Sequence, residues 1–285
     1  MVRLRGLAFM WSVEVASSSG RADLVSIVVP AYNEARRIES SLREIDAYLV
    51  RQGYASEIVV VDDGSSDGTA ELVCALAAGF SVPLRLTRYR ANRGKGFALK
   101  VGFEAARGDR ILFTDADLST PIEEAARLLA CLEGGADIAI GTRKSPGAEI
   151  SVHQPWLRER LGMVFTLIVQ TLVADVSDVT CGFKAFRGDV GRDVFSRLRV
   201  YDWSFDAELL WVARQRAYRV EEVPVRWADR PGTKVNLVRD VVGSLVGIAR
   251  ICLYSALGRY VDPNAIDARL EEWESERPAQ IPKSG

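Results

Sequence analysis

From Leu24 onward, hydrophobic and polar positions fall into two alternating kinds of segment. Val25 to Val29 (VSIVV) is a short, nearly unbroken apolar run stopped by Pro30, the pattern of a strand buried on both faces. A helix is expected over Ile38 to Val50. Glu57 to Val61 (EIVVV) reads as a second buried strand ending at Asp62, Asp63 and Gly64, and SSDGTAELVCALAA then opens a helix behind a Ser/Asp cap region. The alternation continues with a strand at Leu84 to Leu86, the loop ANRGKG, a helix over Phe97 to Ala106, and strands at Arg110 to Thr114 (RILFT) and Asp137 to Gly141 (DIAIG). Further on, a helix is expected around Phe205 to Arg214 and a final strand over Arg219 to Trp227. Strands alternating with helices predict an α/β fold whose sheet is mostly parallel.

The same pattern divides the chain. Residues 1–23 read as a flexible leader, because Glu14 interrupts their apolar run before it reaches spanning length. Residues 24–235 form the α/β domain, 236–261 an amphipathic helical extension, and 262–285 a polar tail. Two apolar stretches, Leu161 to Val173 and Leu237 to Leu257, are poor spanning helices. The first is too short, and the second carries Arg239, Asp240 and Arg250. Both fit helices with one apolar face, to be buried in the core, in a homodimer partner or at a membrane surface.

Composition narrows the chemistry. The 285 residues carry 37 Lys plus Arg against 38 Asp plus Glu, a formal net charge of -1, so no nucleic-acid partner is expected. Cys74, Cys131, Cys181 and Cys252 lie far apart, which suits neither a disulfide framework nor a zinc knuckle and fits a reducing cytoplasm. The single histidine, His153, reads as a loop residue and excludes any unit needing two imidazoles. Carboxylates, lysines, arginines and backbone groups must therefore do the work.

In open α/β sheets ligands bind outside the carboxyl ends of the strands, and here three strands end in PAYNE, DDGS and DAD. Asp115 and Asp117, one residue apart, can reach one hard cation from the same side. That suits Mg²⁺ or Mn²⁺ completed by substrate phosphates; a strand-ending turn closed by Asx bonds is the structural alternative. Asn92 to Lys95 form a cationic, Gly-flanked loop in which Arg93, Lys95 and backbone amides could cradle a diphosphate. The loop is no Walker P-loop, and no G-x-G-x-x-G follows the first strand, which argues against a dehydrogenase. After Pro30, Tyr32 can stack on a base, and Glu34, Asp62 and Asp63 can accept hydrogen bonds from a base or ribose. Asp63 and Asp67 read equally as helix caps.

Taken together, VSIVVPAYNE, IVVVDDGSSDGT, NRGKG and FTDADLSTP resemble the GT-A fold, family 2 inverting glycosyltransferases. DVTCGFKAF, WSFDAELLWVA and the W-x-x-R-x-G-x-K run of Trp227 to Lys234 are similar to the polyprenyl-phosphate sugar synthases, especially the dolichyl-phosphate glucosyltransferase branch. The resemblance spans roughly Val25 to Arg250. It implies that Pro30, Tyr32, Glu34, Asp62 and Asp63, with Ala116, hold the nucleotide sugar, that Arg93 and Lys95 neighbour its diphosphate, and that Asp115 and Asp117 bind the metal. It further implies that Arg143, Arg158, Arg230 and Lys234 face an acceptor phosphate, and that Lys95, Asp117 and Asp206 serve catalysis, Asp206 by orienting acceptor or sugar. Thr180 departs from the pattern, standing where these synthases commonly have Gln.

The expected reaction moves a hexose from a nucleotide diphosphate sugar, UDP-glucose in the first instance, to a polyprenyl phosphate with Mg²⁺ or Mn²⁺. A soluble small-molecule or peptide acceptor, and a non-catalytic nucleotide-sugar binder, are the alternatives. A sugar nucleotidyltransferase lacks support, because no Gly/Arg-rich loop follows the first strand. With a lipid acceptor, the apolar helices and their flanking arginines would rest on the cytoplasmic leaflet as a peripheral attachment.

Overall fold

The computed structural model describes residues 23–152, 166–167, 169–170, 176–230 and 237–260, with 237–242 and 244 described by their backbone alone. The leader up to residue 22, most of Leu161 to Val173, His153, Arg158, Lys234 and the tail from 262 lie outside the described residues.

Seven strands make one sheet: β1 (Val25–Ala31), β2 (Ser56–Asp63), β3 (Leu84–Tyr89), β4 (Arg110–Thr114), β5 (Ile138–Thr142), β7 (Phe183–Arg187) and β8 (Val220–Pro224). Their order is β3-β2-β1-β4-β7-β5-β8, with only β7 antiparallel to its neighbours. Helices α1 (Ile38–Gln52) and α4 (Ala125–Glu133) help bury one apolar face. On the other face lie α3 (Lys95–Ala105), α5 (Gly188–Arg197) and α6 (Phe205–Gln215). The described residues also include helices α2 (Thr69–Leu76) and α7 (Leu237–Ala256). The continuous apolar runs of β1, β2, β4 and β5 thus have the cause expected of them, burial on two faces.

Strand order places the functional end. From β1 the chain steps outward to β2 and β3, then returns to place β4 on the other side of β1, so the crevice opens between β1 and β4. Pairing of β1 with β2 runs on to Ala31 opposite Asp62, whereas pairing with β4 ends at Val28 opposite Phe113. Pro30 lies past that last pair, where the missing N–H leaves no gap in the β1–β4 ladder.

Several elements differ from the expectation. The segment after residue 176 supplies β7 and α5, which no apolar run announced, and β7 is inserted between β4 and β5. The final strand is broken in two. Pro224 closes β8 without an N–H to continue a ladder, and β9 (Arg226–Ala228) leaves to pair in parallel with β6 (Glu149–Val152). Helix α3 also begins earlier than expected, at Lys95, because Gly94 turns the chain with a φ of 96°.

Behind the crevice the core is aromatic. Phe103 of α3 stacks on Phe195 at 3.9 Å between ring centroids and meets Phe186 edge-on at 5.1 Å. All three are buried. Truncating Phe103 to Ala is expected to cost about 3–5 kcal/mol of unfolding free energy in urea denaturation. A loss under about 1 kcal/mol would mean that this cluster does not anchor α3.

Candidate functional site

The loops after β1 and β2 are sewn together along the crevice. The Asn33 N–H donates to Ser65 Oγ (2.8 Å), Asn33 Oδ1 accepts from the Ser66 N–H (2.8 Å), and the Glu34 N–H donates to Thr69 Oγ1 (2.8 Å). Asp67 accepts from the Thr69 N–H (3.1 Å) ahead of α2 and also takes the Ala35 N–H (3.1 Å). Tyr32 stands 40% exposed on this rim, and the Glu34 carboxylate pairs with Arg37, whose Nη2 lies 3.0 Å from Oε1.

The two aspartates ending β2 part ways. Asp63 accepts from the Tyr89 hydroxyl (2.7 Å) and the Arg93 N–H (2.7 Å) with one oxygen, and from Asn92 Nδ2 and the Gly94 N–H (both 3.0 Å) with the other. Burial pushes its pKa up against these bonds. Both oxygens accept hydrogen bonds, three of the four from the Asn92–Gly94 loop, so Asp63 shapes that loop. Asp62 is fully buried. Its Oδ1 accepts from the Ser65 N–H (3.1 Å), while Oδ2, 3.2 Å from Arg88 Nε, is left with no hydrogen bond.

Glycines bring the cationic loop down onto its support. A Cβ on Gly94 would overlap the carbonyl oxygen of Tyr201, and one on Gly96 would come within 2.6 Å of Phe205 Cβ. The Gly96 N–H donates to that Tyr201 carbonyl at 3.1 Å. Arg93 lays its guanidinium 3.7 Å from the Phe97 ring centroid, and Lys95, first residue of α3, turns to Asp115 in an ion pair.

Asp115 and Asp117 follow β4 in a tight turn. The Leu118 N–H donates to the Asp115 carbonyl (3.1 Å), Asp117 Oδ1 accepts from the Ser119 N–H (3.0 Å), and the carbonyl of buried Ala116 accepts from Ser41 Oγ (2.7 Å). The Asx turn weighed as an alternative is therefore present, and it fixes the pair rather than consuming it. Gly182 is the residue that sequence reasoning missed: any Cβ there would overlap the Asp115 carboxylate. Its only signal was its place in the CGFK run.

Lys184 of that run is wholly buried in mid-strand. Its Nζ donates to Asp206 Oδ1 (2.6 Å) and to the carbonyls of Cys181 (2.7 Å) and Val179 (3.1 Å). Burial pushes the Asp206 carboxyl up despite Lys184 and Lys95. Burial also works to lower the Lys95 pKa, but the charges of Asp115 and Asp206 outweigh it and leave that pKa raised. Asp206 thus touches Lys184 directly and Lys95 through its field.

On the far side, Asp178 grips Arg143 through Nε (2.7 Å), Nη2 (2.8 Å) and the backbone N–H (3.0 Å). Thr180, the departure from the family pattern, accepts from Arg143 Nη2 at 3.0 Å, and the Trp227 ring centroid lies 5.3 Å from the guanidinium. Arg143 also feels the charge of Asp115. Lys144, unremarked in the sequence reading as a phosphate contact, donates to Thr166 Oγ1 (2.8 Å), and burial lowers its pKa. Of the expected acceptor group Arg143 joins the site; Arg230 is exposed, and Arg158 and Lys234 lie outside the described residues.

Among the described residues no group of three or more His, Cys, Asp or Glu side chains could hold a metal ion. Asp115 and Asp117, 38% and 23% exposed, offer hard oxygen donors suited to a cation that shares its coordination with phosphates.

The model of glycosyl transferase family 2 matches residues 26–195, a span that includes Asp62, Lys95, Asp115, Asp117 and Arg143. The chain belongs to this family. A dolichyl-phosphate beta-glucosyltransferase of Trichomonas vaginalis is 35% identical over 263 residues, 87% of this chain and 77% of the relative. The human protein of that description is 32% identical over 224 residues, 74% of this chain and 69% of its own. Among solved structures, glucosyl-3-phosphoglycerate synthase of Mycobacterium tuberculosis with UDP superposes with a TM-score of 0.60 at 22% identity, covering 85% and 82% of the two chains. The same enzyme with Mn²⁺, UDP-glucose and phosphoglyceric acid gives 0.58 at 21%, again over 85% and 82%. These neighbours share the fold, and family membership makes the protein a glycosyltransferase.

The Arg143–Asp178 pair gives a pH prediction. Burial would raise the Asp178 pKa, but Arg143 overcomes it and holds the carboxyl down to about 2. A carboxyl depressed from roughly 3.9 contributes stability that is complete above that value and lost as pH falls through the folded pKa. The stability gap between wild type and Asp178→Asn in urea should therefore be wider near about pH 6 than near about pH 3. Equal gaps would remove the ion pair from the account.

Proposed function

We propose that this glycosyltransferase moves glucose from UDP-glucose to a polyprenyl phosphate of the dolichyl type, with inversion at the anomeric carbon and with Mg²⁺ or Mn²⁺ bound. The observation that carries the reading is the meeting of Asp115 and Asp117 with Lys95 at the mouth of the β1–β4 crevice. The relatives named for dolichyl phosphate support the acceptor, and the fold neighbour bound to Mn²⁺ and UDP-glucose supports metal and donor.

In this reading an acceptor phosphate oxygen attacks the anomeric carbon opposite the leaving group. The bond from that carbon to the diphosphate breaks, and its electron pair stays on the departing oxygen. Lys95 meets the growing charge from the N-terminus of α3, where the helix dipole also favours an anion. Asp115 and Asp117 would hold the ion, which supplies further positive charge to the leaving diphosphate. Asp62 Oδ2, ion-paired with Arg88 but without a hydrogen bond, is an acceptor that a base N–H would satisfy, with Tyr32 available to stack.

Arg143, locked by Asp178, faces the acceptor phosphate. A phosphate monoester, with a second pKa near about 6, is already largely an anion at neutral pH and needs little help from a base. Asp206 acts by holding Lys184 and the field around Lys95, in place of the acceptor contact expected from sequence. Leu245, Val246 and Leu253 on the exposed side of α7, with exposed Leu257 just past its end, support peripheral attachment to the cytoplasmic membrane surface carrying the acceptor. Among the described residues no helix is long and apolar enough to cross a membrane.

A donor panel with a short polyprenyl phosphate and Mg²⁺ or Mn²⁺ tests the reading. The expected product is a β-linked glucosyl phosphate, identified by mass and by its anomeric coupling in NMR. Release of pyrophosphate, or turnover only with soluble acceptors, would overturn it. Asp117→Ala should lose on the order of a hundredfold or more in rate at unchanged melting temperature, and chelation should abolish turnover. An active Asp117→Ala protein would remove the metal from the mechanism.

A further inference from the structure

A continuous path of contacts runs from the C-terminal segment to the turn that carries Lys95. Glu208 of α6 is fully buried. Its Oε1 accepts from the Tyr260 hydroxyl (2.7 Å), and Oε2 accepts from the N–H groups of Val200 (2.8 Å) and Arg199 (2.9 Å). Tyr260, just beyond α7, is also buried, and its carbonyl accepts from Arg197 Nη1 at 2.8 Å. The Arg199 guanidinium donates to the Arg259 carbonyl through Nε (3.3 Å) and Nη2 (3.2 Å). Closer to the crevice, α7 crosses Ser204 at Gly247, where any Cβ would overlap the Ser204 side chain.

One peptide bond beyond Val200 lies Tyr201, the support of the donor-side turn. Its carbonyl takes the Gly96 N–H (3.1 Å) and excludes any side chain at Gly94, and its ring meets Phe97 edge-on at 5.2 Å. Phe97 in turn carries the Arg93 guanidinium. We propose that Glu208 and Tyr260 are positioning residues, a strut through which the seated C-terminal segment fixes the 199–201 backbone and thereby the Gly94–Lys95–Gly96 turn. The functional half of this inference rests on the donor-side role given above to Lys95.

The choice of residue supports it. An ionised carboxylate is an acceptor-only group and can serve two backbone N–H groups and a phenol at once, whereas a glutamine would set a donor against one of them. Burial pushes the pKa of this carboxyl up to about 7, against the hydrogen bonds from Tyr260, Val200 and Arg199 and the charge of Lys100 on α3. Burying such a group is costly unless its geometry is used.

The test compares wild type, Tyr260→Phe, Glu208→Gln and Lys95→Met as full chains. Tyr260→Phe removes one hydroxyl and keeps the ring packed, so it remains informative even where Glu208→Gln fails to fold. Hydrogen exchange at Gly96 in the ligand-free protein should accelerate about fivefold in Tyr260→Phe, the shift that follows from losing one hydrogen bond of ordinary net strength. The KM for UDP-glucose should rise by about the same factor while the KM for the polyprenyl phosphate stays put. Glu208→Gln should move both readouts further in the same direction.

Unchanged exchange at Gly96 in folded Tyr260→Phe overturns the strut whatever the donor proves to be. Faster exchange with an unchanged KM for UDP-glucose, in a protein whose Lys95→Met variant is impaired, overturns its positioning role. Full activity of Lys95→Met would instead sink the role given to Lys95, and the exchange data would still decide the strut.

Discussion

The ion pair between Lys95 and Asp115 is the constraint around which the crevice is built. Its partners come from the start of α3 and the end of β4, and they meet because three positions carry no side chain: Gly94 and Gly96 against Tyr201 and Phe205, and Gly182 against Asp115 itself. Opposite charges this close in a partly desolvated cleft attract far more strongly than in water. On the proposed reaction, donor binding is then an exchange of partners. Lys95 would turn from Asp115 to the diphosphate, and Asp115 with Asp117 would hold the cation, whose charge would take the place of Lys95 beside it.

That exchange needs a fixed background, which the Lys184–Asp206 pair supplies. A buried ion pair seldom adds net stability, because removing both charges from water offsets their attraction. Here the pair is tied down by two further carbonyl bonds to Lys184 and lies within the field of Lys95. The consequence bears on how Asp206 variants are interpreted. Truncating it would strand the Lys184 ammonium in the core, and loss of activity would then report a damaged scaffold as readily as a lost catalytic contact. Only a double change, neutralising Lys184 as well, separates the two.

How much of this the sequence disclosed follows from where charges sit. β1, β2, β4 and β5 were legible because strands buried on both faces read as apolar runs, and the strand ends then pointed to the crevice. β7 was hidden because Lys184 interrupts the run Phe183–Phe186 with a buried charge, and a strand broken by lysine mimics a surface loop. The split of β8 from β9 turned on Pro224, which carried no weight in the middle of an apolar segment. At the site, residue types showed which groups could act but not which were already engaged. Asp62 and Asp63 are adjacent and alike in sequence, yet one retains an unsatisfied oxygen while the other is spent on the Asn92–Gly94 loop. Gly182 was invisible for the complementary reason, since its contribution is the space it leaves.

The helix α7 resolves an ambiguity that periodicity could not. Its inward side buries Gly247, Ile248 and Ile251, and its outward side still exposes Leu245, Val246 and Leu253, with Leu257 exposed just past its end. Burial in the core, in a homodimer partner or at a membrane surface were the alternatives; the helix packs on the core and keeps exposed apolar residues besides. On the membrane reading the outer face is modest. Burying the remaining half of a large aliphatic side chain gains roughly 1 kcal/mol, so these four together gain about 4 kcal/mol, near a thousandfold in partitioning. That is of the same order as a single myristoyl chain or below it, which gives only reversible attachment. An enzyme held so lightly needs a second hold on the bilayer, and a lipid-linked acceptor engaged by Arg143 would provide one only while substrate is bound. Residence on the membrane would then track acceptor occupancy, and the strut from Tyr260 to the Lys95 turn would let the donor site respond to how that C-terminal segment is seated.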